Sequence, residues 1–268
     1  AILMTEPASG ADIENERMEL RTCKVILKED GDELILNGTK AWASNTGVSL
    51  LYVVICTTDA NLGAEGSVMV VVEKDSPGMT FGKIEHKMGM AEDHNREVYF
   101  DNCRVPRKNL LGKIGGGHRL LQRTVTYNRL GSGMISVGIA RGAFDYTLDY
   151  AKTRVVGGKR LIDHSLIQTM FADMATKIDA ARLLVYRSNW ANRTRHPMRD
   201  VYSNMAKVFG TNVAMEVTTN CVQLCGSNGY CKDLPLEKYM RDAKIVQIFL
   251  GPNELLNTLI GWRLGGSQ

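Results

Sequence analysis

The stretch Gly112-Lys113-Ile114-Gly115-Gly116-Gly117-His118-Arg119-Leu120-Leu121 separates two kinds of sequence pattern. Before it, short apolar runs of period-two character alternate with turn residues, the pattern of half-buried strands. Cys23 to Leu27 and Glu33 to Leu36 flank Glu29-Asp30-Gly31-Asp32, which is a hairpin signal. Leu50 to Cys56, Ser67 to Glu73, Thr80 to Lys83 and Glu97 to Phe100 supply further strands, with turns such as Asp75-Ser76-Pro77-Gly78 between them. Residues 1–112 therefore predict an antiparallel β-barrel or sandwich domain.

Beyond the glycine run the spacing becomes helical. Ile167, Met170, Phe171, Met174, Ile178, Ala181 and Val185 recur mostly three and four apart and make one buried face, with Asp163 at the expected N-cap. Leu120 to Thr153 is a second long helix. Its Gly131, Gly133, Gly138 and Gly142 each cost about 1 kcal/mol of propensity, tolerable where neighbouring backbones approach closely. Val201 to about Leu224 is a third, closed by Gly226; a fourth runs from Leu236 to Ile248, and a short one begins near Pro252. Residues 113–268 thus predict an antiparallel four-helix bundle, and the whole chain an α+β fold.

Composition narrows the function. The 268 residues carry 44% hydrophobic and 23% charged residues and a formal charge of +4, ordinary values for a globular chain. No basic run is interleaved with aromatics, so no nucleic-acid partner is expected, and no apolar stretch is long enough for a membrane span. Ala1 to Met4 lacks the length and basic leader of a signal peptide, and the absent initiator Met suggests a fragment. The six cysteines need no disulfide framework at this length, and a reducing compartment suits them. Cys221 and Cys225 could share a helix face with Cys231 nearby, but no His supplies a fourth ligand, so no metal is expected.

Five short stretches then matter in their order. They are Met4-Thr5-Glu6-Pro7-Ala8-Ser9-Gly10-Ala11-Asp12, Lys40-Ala41-Trp42-Ala43-Ser44-Asn45, Lys87-Met88-Gly89 with Phe100-Asp101-Asn102-Cys103-Arg104-Val105-Pro106, Gln223-Leu224-Cys225-Gly226-Ser227-Asn228-Gly229-Tyr230, and Tyr239-Met240-Arg241-Asp242-Ala243-Lys244-Ile245. Together they resemble the signatures of the acyl-CoA dehydrogenase family across nearly the whole chain. What the resemblance lacks is the family's N-terminal helical domain.

The resemblance implies FAD as cofactor. It matches Met4 and Thr5 to a strand beside the isoalloxazine ring and Trp42, Ala43 and Ser44 to the segment near its reactive nitrogen. Arg154 matches a pyrophosphate-binding cation, and His164 and Ser165 the adenosine region. Gln223, Leu224, Cys225, Gly226 and Ser227 match a loop that reaches the FAD of a neighbouring subunit, which implies a homo- or hetero-oligomer. Pro252, Asn253 and Glu254 complete the matched cofactor set, and Ala11, Arg129 and Gly251 match substrate positions for an acyl-CoA thioester. Taken singly, Trp42 also reads as a strand residue, Arg154 as a helix-end charge, Gln223 as a solvated helix end and Arg129 as a surface salt bridge. Electron-transferring flavoprotein is the acceptor implied, in a mitochondrial matrix or a bacterial cytoplasm.

One departure bears on the chemistry. The family's base is a glutamate shortly after the Arg-Asp-Ala-Lys helix, and here Ile248-Phe249-Leu250-Gly251-Pro252-Asn253-Glu254 puts Leu250 in its place. Some relatives carry the base on the long helix between a tyrosine and an arginine, where this chain has Asn128. Neither side chain takes a proton at neutral pH. Glu254, one turn on, is the substitute candidate. Ala11 in place of serine, and Ala91 to Asn95, also depart from the family pattern. Two readings stay open: an acyl-CoA-processing flavoenzyme, or a catalytically silent subunit that binds without reacting.

Overall fold

The computed structural model describes residues 1–266, which form two compact units, Ala1–Lys87 with Ala91–Val125, and Met88–Met90 with the chain from Thr126 onward. The first unit is a seven-stranded curled sheet. Its strands are β1 (Ile2–Leu3), β2 (Ile26–Asp30), β3 (Glu33–Ala43), β4 (Leu51–Thr57), β5 (Ser67–Glu73), β6 (Met79–Phe81) and β7 (Arg96–Pro106). The order is β1-β4-β2-β3-β7-β6, with β5 on β4. Most pairings are antiparallel, but β1 and β2 each run parallel to β4. A short helix, α1 (Ala11–Glu14), follows β1.

The β2–β3 hairpin turns more tightly than the sequence suggests. β2 continues to Asp30, opposite Glu33, so the turn is Gly31-Asp32, with Gly31 at φ 60°. Glycine first in a two-residue turn matches the right-handed twist of the strands it joins. The start of β2 also shifts. Strand pairing begins at Ile26 rather than Cys23, because the Lys24 and Val25 N–H groups donate to the Glu6 carboxylate, at 2.6 and 3.1 Å. Alternation along the strands gives a core of Leu27, Leu34, Leu36, Tyr52, Val54, Val70, Val98 and Val105.

The second unit is helical. α2 (Gly117–Thr153) lends its residues from Thr126 on to this unit and its earlier turns to the first. α3 (Ser165–Arg193), α4 (Arg199–Tyr230), α5 (Leu236–Ile248) and α6 (Asn253–Leu264) follow. A two-stranded ribbon, β8 (Val155–Val156) with β9 (Lys159–Arg160), turns through Gly157 and Gly158 at φ 60° and 81° between α2 and α3. The face read from the sequence of α3 is the buried one: Phe171, Met174, Ile178, Ala181 and Val185 are in the core. Its N-cap position falls to His164 instead of Asp163, whose carboxylate is taken by the Arg160 guanidinium at 2.8 and 3.0 Å.

The helical glycines of α2 divide into two kinds. A Cβ on Gly133 would stand 2.9 Å from the Ala206 carbonyl oxygen, and one on Gly142 2.9 Å from the Tyr239 hydroxyl. Gly131 and Gly138 face open space, so close packing does not account for them. Cys221 and Cys225 are buried in the helical core, and burial pushes both thiols up to about 11. Among the described residues no group of three or more His, Cys, Asp or Glu is placed to hold a metal, and no helix is long and apolar enough to cross a membrane.

Candidate functional site

In the first unit, two of the quoted motifs meet through charges that the sequence reading passed over. Glu6 and Lys40 are both buried, 3% and 0% exposed, and their side chains pair at 2.7 Å. The Lys40 ammonium also donates to the Met4 carbonyl at 2.8 Å. Besides Lys40 and the two backbone N–H groups, the Glu6 carboxylate accepts from the Cys23 thiol at 3.2 Å. Burial, foremost, pushes that thiol up to about 12. The Thr5 carbonyl accepts from the Ala41 N–H at 2.9 Å. Thr5 is thus held between two residues whose own groups are tied to Lys40. A buried pair of this kind adds little net stability, yet removing one partner is costly, so it fixes geometry.

Trp42 lies where β3 departs from regular pairing, in the register shift between Lys40 and Ala43. Its φ is 65° and its side chain is 58% exposed. An irregularity of this kind re-aims a side chain off the sheet face, and a bulky residue at positive φ persists only where its surroundings hold it. The holding groups are on Ala91–Asn95. The Asn95 amide donates to the Trp42 carbonyl at 2.6 Å, the Ser44 hydroxyl donates to Asp93 Oδ2 at 2.7 Å, and the Thr46 N–H donates to the His94 carbonyl at 3.0 Å.

In the second unit the loop after α5 is fixed by two buried cations. Arg129, 3% exposed on α2, donates from Nε to the Leu250 carbonyl at 3.1 Å and from a terminal nitrogen to Asn204 Oδ1 at 3.2 Å. It therefore lies in the interior and not at the surface that the sequence allowed. Lys207, fully buried on α4, donates to the carbonyls of Gln247 and Gly251 at 3.0 and 2.9 Å and to Asn253 Oδ1 at 2.9 Å. Asn253 bonds Thr211 and Asn212 as well, each at 2.9 Å. Leu250 and Gly251 both have positive φ, 56° and 86°. A leucine in this region is costly by itself, and the carbonyl clamps explain why it persists.

The two base positions of the resemblance are thereby linked. Asn128 precedes the arginine that clamps the Leu250 carbonyl, and both positions carry neutral side chains. Glu254 is exposed in the first turn of α6. The Arg-Asp-Ala-Lys helix meets the Lys-Met-Gly motif through backbone contacts. The Met90 N–H donates to Asp242 at 2.5 Å, Arg241 donates to the Met88 carbonyl, and a Cβ on Gly89 would stand 2.5 Å from the Arg241 carbonyl oxygen.

The remaining matched residues are more dispersed. Arg154, next after α2, is exposed and makes no ion pair among the described residues. His164 bonds the Val156 carbonyl at 2.9 Å, and Ser165 opens α3, exposed. Gln223 and Ser227 are exposed on α4, whereas Leu224 and Cys225 send their side chains into the core and have only backbone to offer a ligand. Gly226 breaks α4 at φ 57°, ψ −139°. Gly10, Ala11 and Asp12 sit at the exposed or half-exposed start of α1. An exposed tryptophan beside a hydroxyl fits the needs of an aromatic ring, and an arginine lacking a carboxylate partner fits those of a pyrophosphate.

Comparison with known proteins gives matches over both units. Residues 1–103 match the acyl-CoA dehydrogenase middle domain and residues 115–265 the acyl-CoA dehydrogenase C-terminal domain. A probable acyl-CoA dehydrogenase of Mycobacterium tuberculosis is 40% identical over 252 residues, 94% of this chain and 63% of the relative. Cyclohexane-1-carbonyl-CoA dehydrogenase of Geobacter metallireducens is 38% identical over 260 residues, 97% of this chain and 66% of its own. The structure of butyryl-CoA dehydrogenase from Megasphaera elsdenii superposes with a TM-score of 0.93 at 35% identity, covering 98% of this chain and 67% of that one. The chain therefore spans about two thirds of these relatives.

Proposed function

Because the chain belongs to the acyl-CoA dehydrogenase family, we propose that it is part of an FAD-dependent oxidoreductase that binds an acyl-CoA thioester without the family's usual carboxylate base. When bound, FAD would serve as the hydride acceptor or donor. Thr5, Trp42 and Ser44 of the first unit are the groups suited to the ring, and Arg154 of the second to the pyrophosphate. Ser165, Gln223 and Ser227 are exposed polar groups available to the rest of the cofactor, and His164 stands half-buried beside Ser165.

The carrying observation is the doubly clamped loop at Leu250, with Arg129 on its carbonyl and Lys207 on the next. Residue 250 keeps the backbone N–H that can polarise a thioester carbonyl, and only the proton-accepting side chain is gone. Preserved backbone with a changed side chain supports binding and polarisation of the thioester, and argues against unaided removal of its α-proton. The chemistry then needs either a base from another segment or a reaction that needs no base here, such as loss of a β-substituent or enoyl reduction.

A second reading, the silent binding subunit, is favoured by one observation: Leu250 and Asn128 leave both base positions without a carboxylate. A visible absorption spectrum of the purified protein separates the two. The flavoenzyme reading expects uptake of FAD and a shift of its bands on adding acyl-CoA. Protein that takes up no FAD and gains no thermal stability from excess FAD supports the silent reading, since a ligand must stabilise the fold it binds. Assembly into a dimer or tetramer, electron-transferring flavoprotein as acceptor and a bacterial cytoplasmic setting accompany the proposal. The exposed Gln223 beside the Gly226 break supports the first of these.

A further inference from the structure

Ala91–Asn95, one of the stretches read from the sequence as unlike the family pattern, grips the Trp42–Thr46 turn. Asp93 is central to that grip. Its Oδ2 lies 2.7 Å from the Ser44 hydroxyl and its Oδ1 accepts from the Asn45 N–H at 3.2 Å. Asn45, like Trp42, has positive φ, 60° against 65°. The carboxylate therefore bridges a side chain and a backbone N–H of a turn that needs outside support.

We propose that Asp93 is a positioning residue that sets the direction of the Ser44 hydroxyl, turning it into an acceptor toward any ligand at this turn. An ionised carboxylate only accepts hydrogen bonds, whereas a serine hydroxyl has a single proton and two lone pairs. In the Ser44–Asp93 bond the proton must come from Ser44. Nothing is left for Ser44 to donate elsewhere. The charge of Asp93 is balanced close by, because the Lys87 ammonium stands 3.7 Å from Oδ2 and also bonds the Asp93 carbonyl and Asn95 Oδ1. With charge offset locally, the main remaining influence of Asp93 is directional.

The functional consequence rests on the FAD reading above, with Ser44 near the reactive ring nitrogen. An acceptor-only hydroxyl suits a nitrogen that carries a hydrogen, as in reduced flavin, over the bare nitrogen of the oxidised ring. Asp93 thereby biases the site toward the reduced cofactor. One hydrogen bond of this kind corresponds to roughly tenfold in relative affinity, or about 30 mV for a two-electron couple.

The test is a double-mutant cycle with Asp93→Asn and Ser44→Ala, made in the whole protein. Asparagine keeps the shape, can accept from Asn45 through its amide oxygen, and can donate its NH₂ to Ser44, which frees the serine proton. The midpoint potential of bound FAD is measured for all four proteins. Asp93→Asn should lower the reduced-to-oxidised affinity ratio about tenfold more with Ser44 present than in the Ser44→Ala background. Equal shifts in both backgrounds would mean that Asp93 acts by charge alone and would overturn the directional claim. A second measurement needs no flavin: hydrogen exchange at the Asn45 amide should be slow in the wild type and in Asp93→Asn, and at least about tenfold faster in Asp93→Ala. Unchanged exchange in Asp93→Ala would overturn the positioning claim itself. Protein that binds no FAD while Asp93→Ala still accelerates exchange would remove the redox bias, with the FAD reading at fault and the grip on the turn upheld.

Discussion

The Met4–Glu6 segment and the Phe249–Pro252 loop are both irregular backbone fixed by buried cations, yet they are built differently. Lys40 holds the first through the Glu6 carboxylate as well as the Met4 carbonyl, so both charges of the pair lie inside recognisable motifs. Arg129 and Lys207 hold the second through main-chain carbonyls, from helices 121 and 44 residues away in sequence. A clamp on carbonyls is indifferent to the side chain it presents. The clamped loop can therefore present a leucine at position 250, whereas the first segment depends on the identities of Glu6 and Lys40.

Breaking the side-chain pair should have the largest effect on stability. Lys40→Met leaves Glu6 buried without its cation and should cost about 3–5 kcal/mol, seen as a lowered midpoint in denaturant. Glu6→Gln with Lys40→Met should recover most of that loss, since replacing a whole buried pair is close to neutral; a double variant as unstable as the single would refute this reading. Lys207→Met should cost about 2–3 kcal/mol by stranding the Gln247 and Gly251 carbonyls, with faster hydrogen exchange confined to the loop and its flanks. Gly89→Ala forces a Cβ against the Arg241 backbone and should cost about 1–3 kcal/mol. Gly131→Ala meets open space and should instead stabilise by up to about 1 kcal/mol.

The smallest effect concerns pH. Burial, offset in part by Glu19 and Glu16, lowers the pKa of His118. A histidine held neutral by the fold binds fewer protons folded than unfolded, so its contribution is present above the ordinary histidine range and is lost as pH falls below about 6.5. Stability should rise with pH through that window, and His118→Gln should flatten the rise. An unchanged slope in a pH series of melting temperatures would exclude His118 as its source.

Much of the scaffold is legible in the sequence because burial leaves a periodic trace. The α3 face from Phe171 to Val185 and the runs of β4 and β5 are read directly from spacing. The groups that fix the candidate site leave no such trace. Glu6, Lys40, Arg129 and Lys207 look like solvated charges, and only tertiary pairing buries them. Gly89 reads as one glycine among many until the Arg241 backbone is seen against it. Local rules put Asp163 at a helix cap, but Arg160 three residues earlier competes for it successfully. The grip of Asp93 and Asn95 on the Trp42 turn joins positions 49 and 53 residues apart and has no signal in either stretch alone.

The proposal that the clamped loop at residue 250 serves acyl-CoA binding without supplying a base is tested most directly by anaerobic flavin reduction with a saturated acyl-CoA. Leu250→Glu places a carboxylate on the clamped loop, and a positioned general base contributes roughly 10²–10⁴ in rate. The wild type should bind acyl-CoA and shift its flavin bands with little bleaching, while Leu250→Glu bleaches faster by a factor in that range. A wild type that bleaches rapidly, with Leu250→Glu no faster, would contradict the account and place the base elsewhere in the protein.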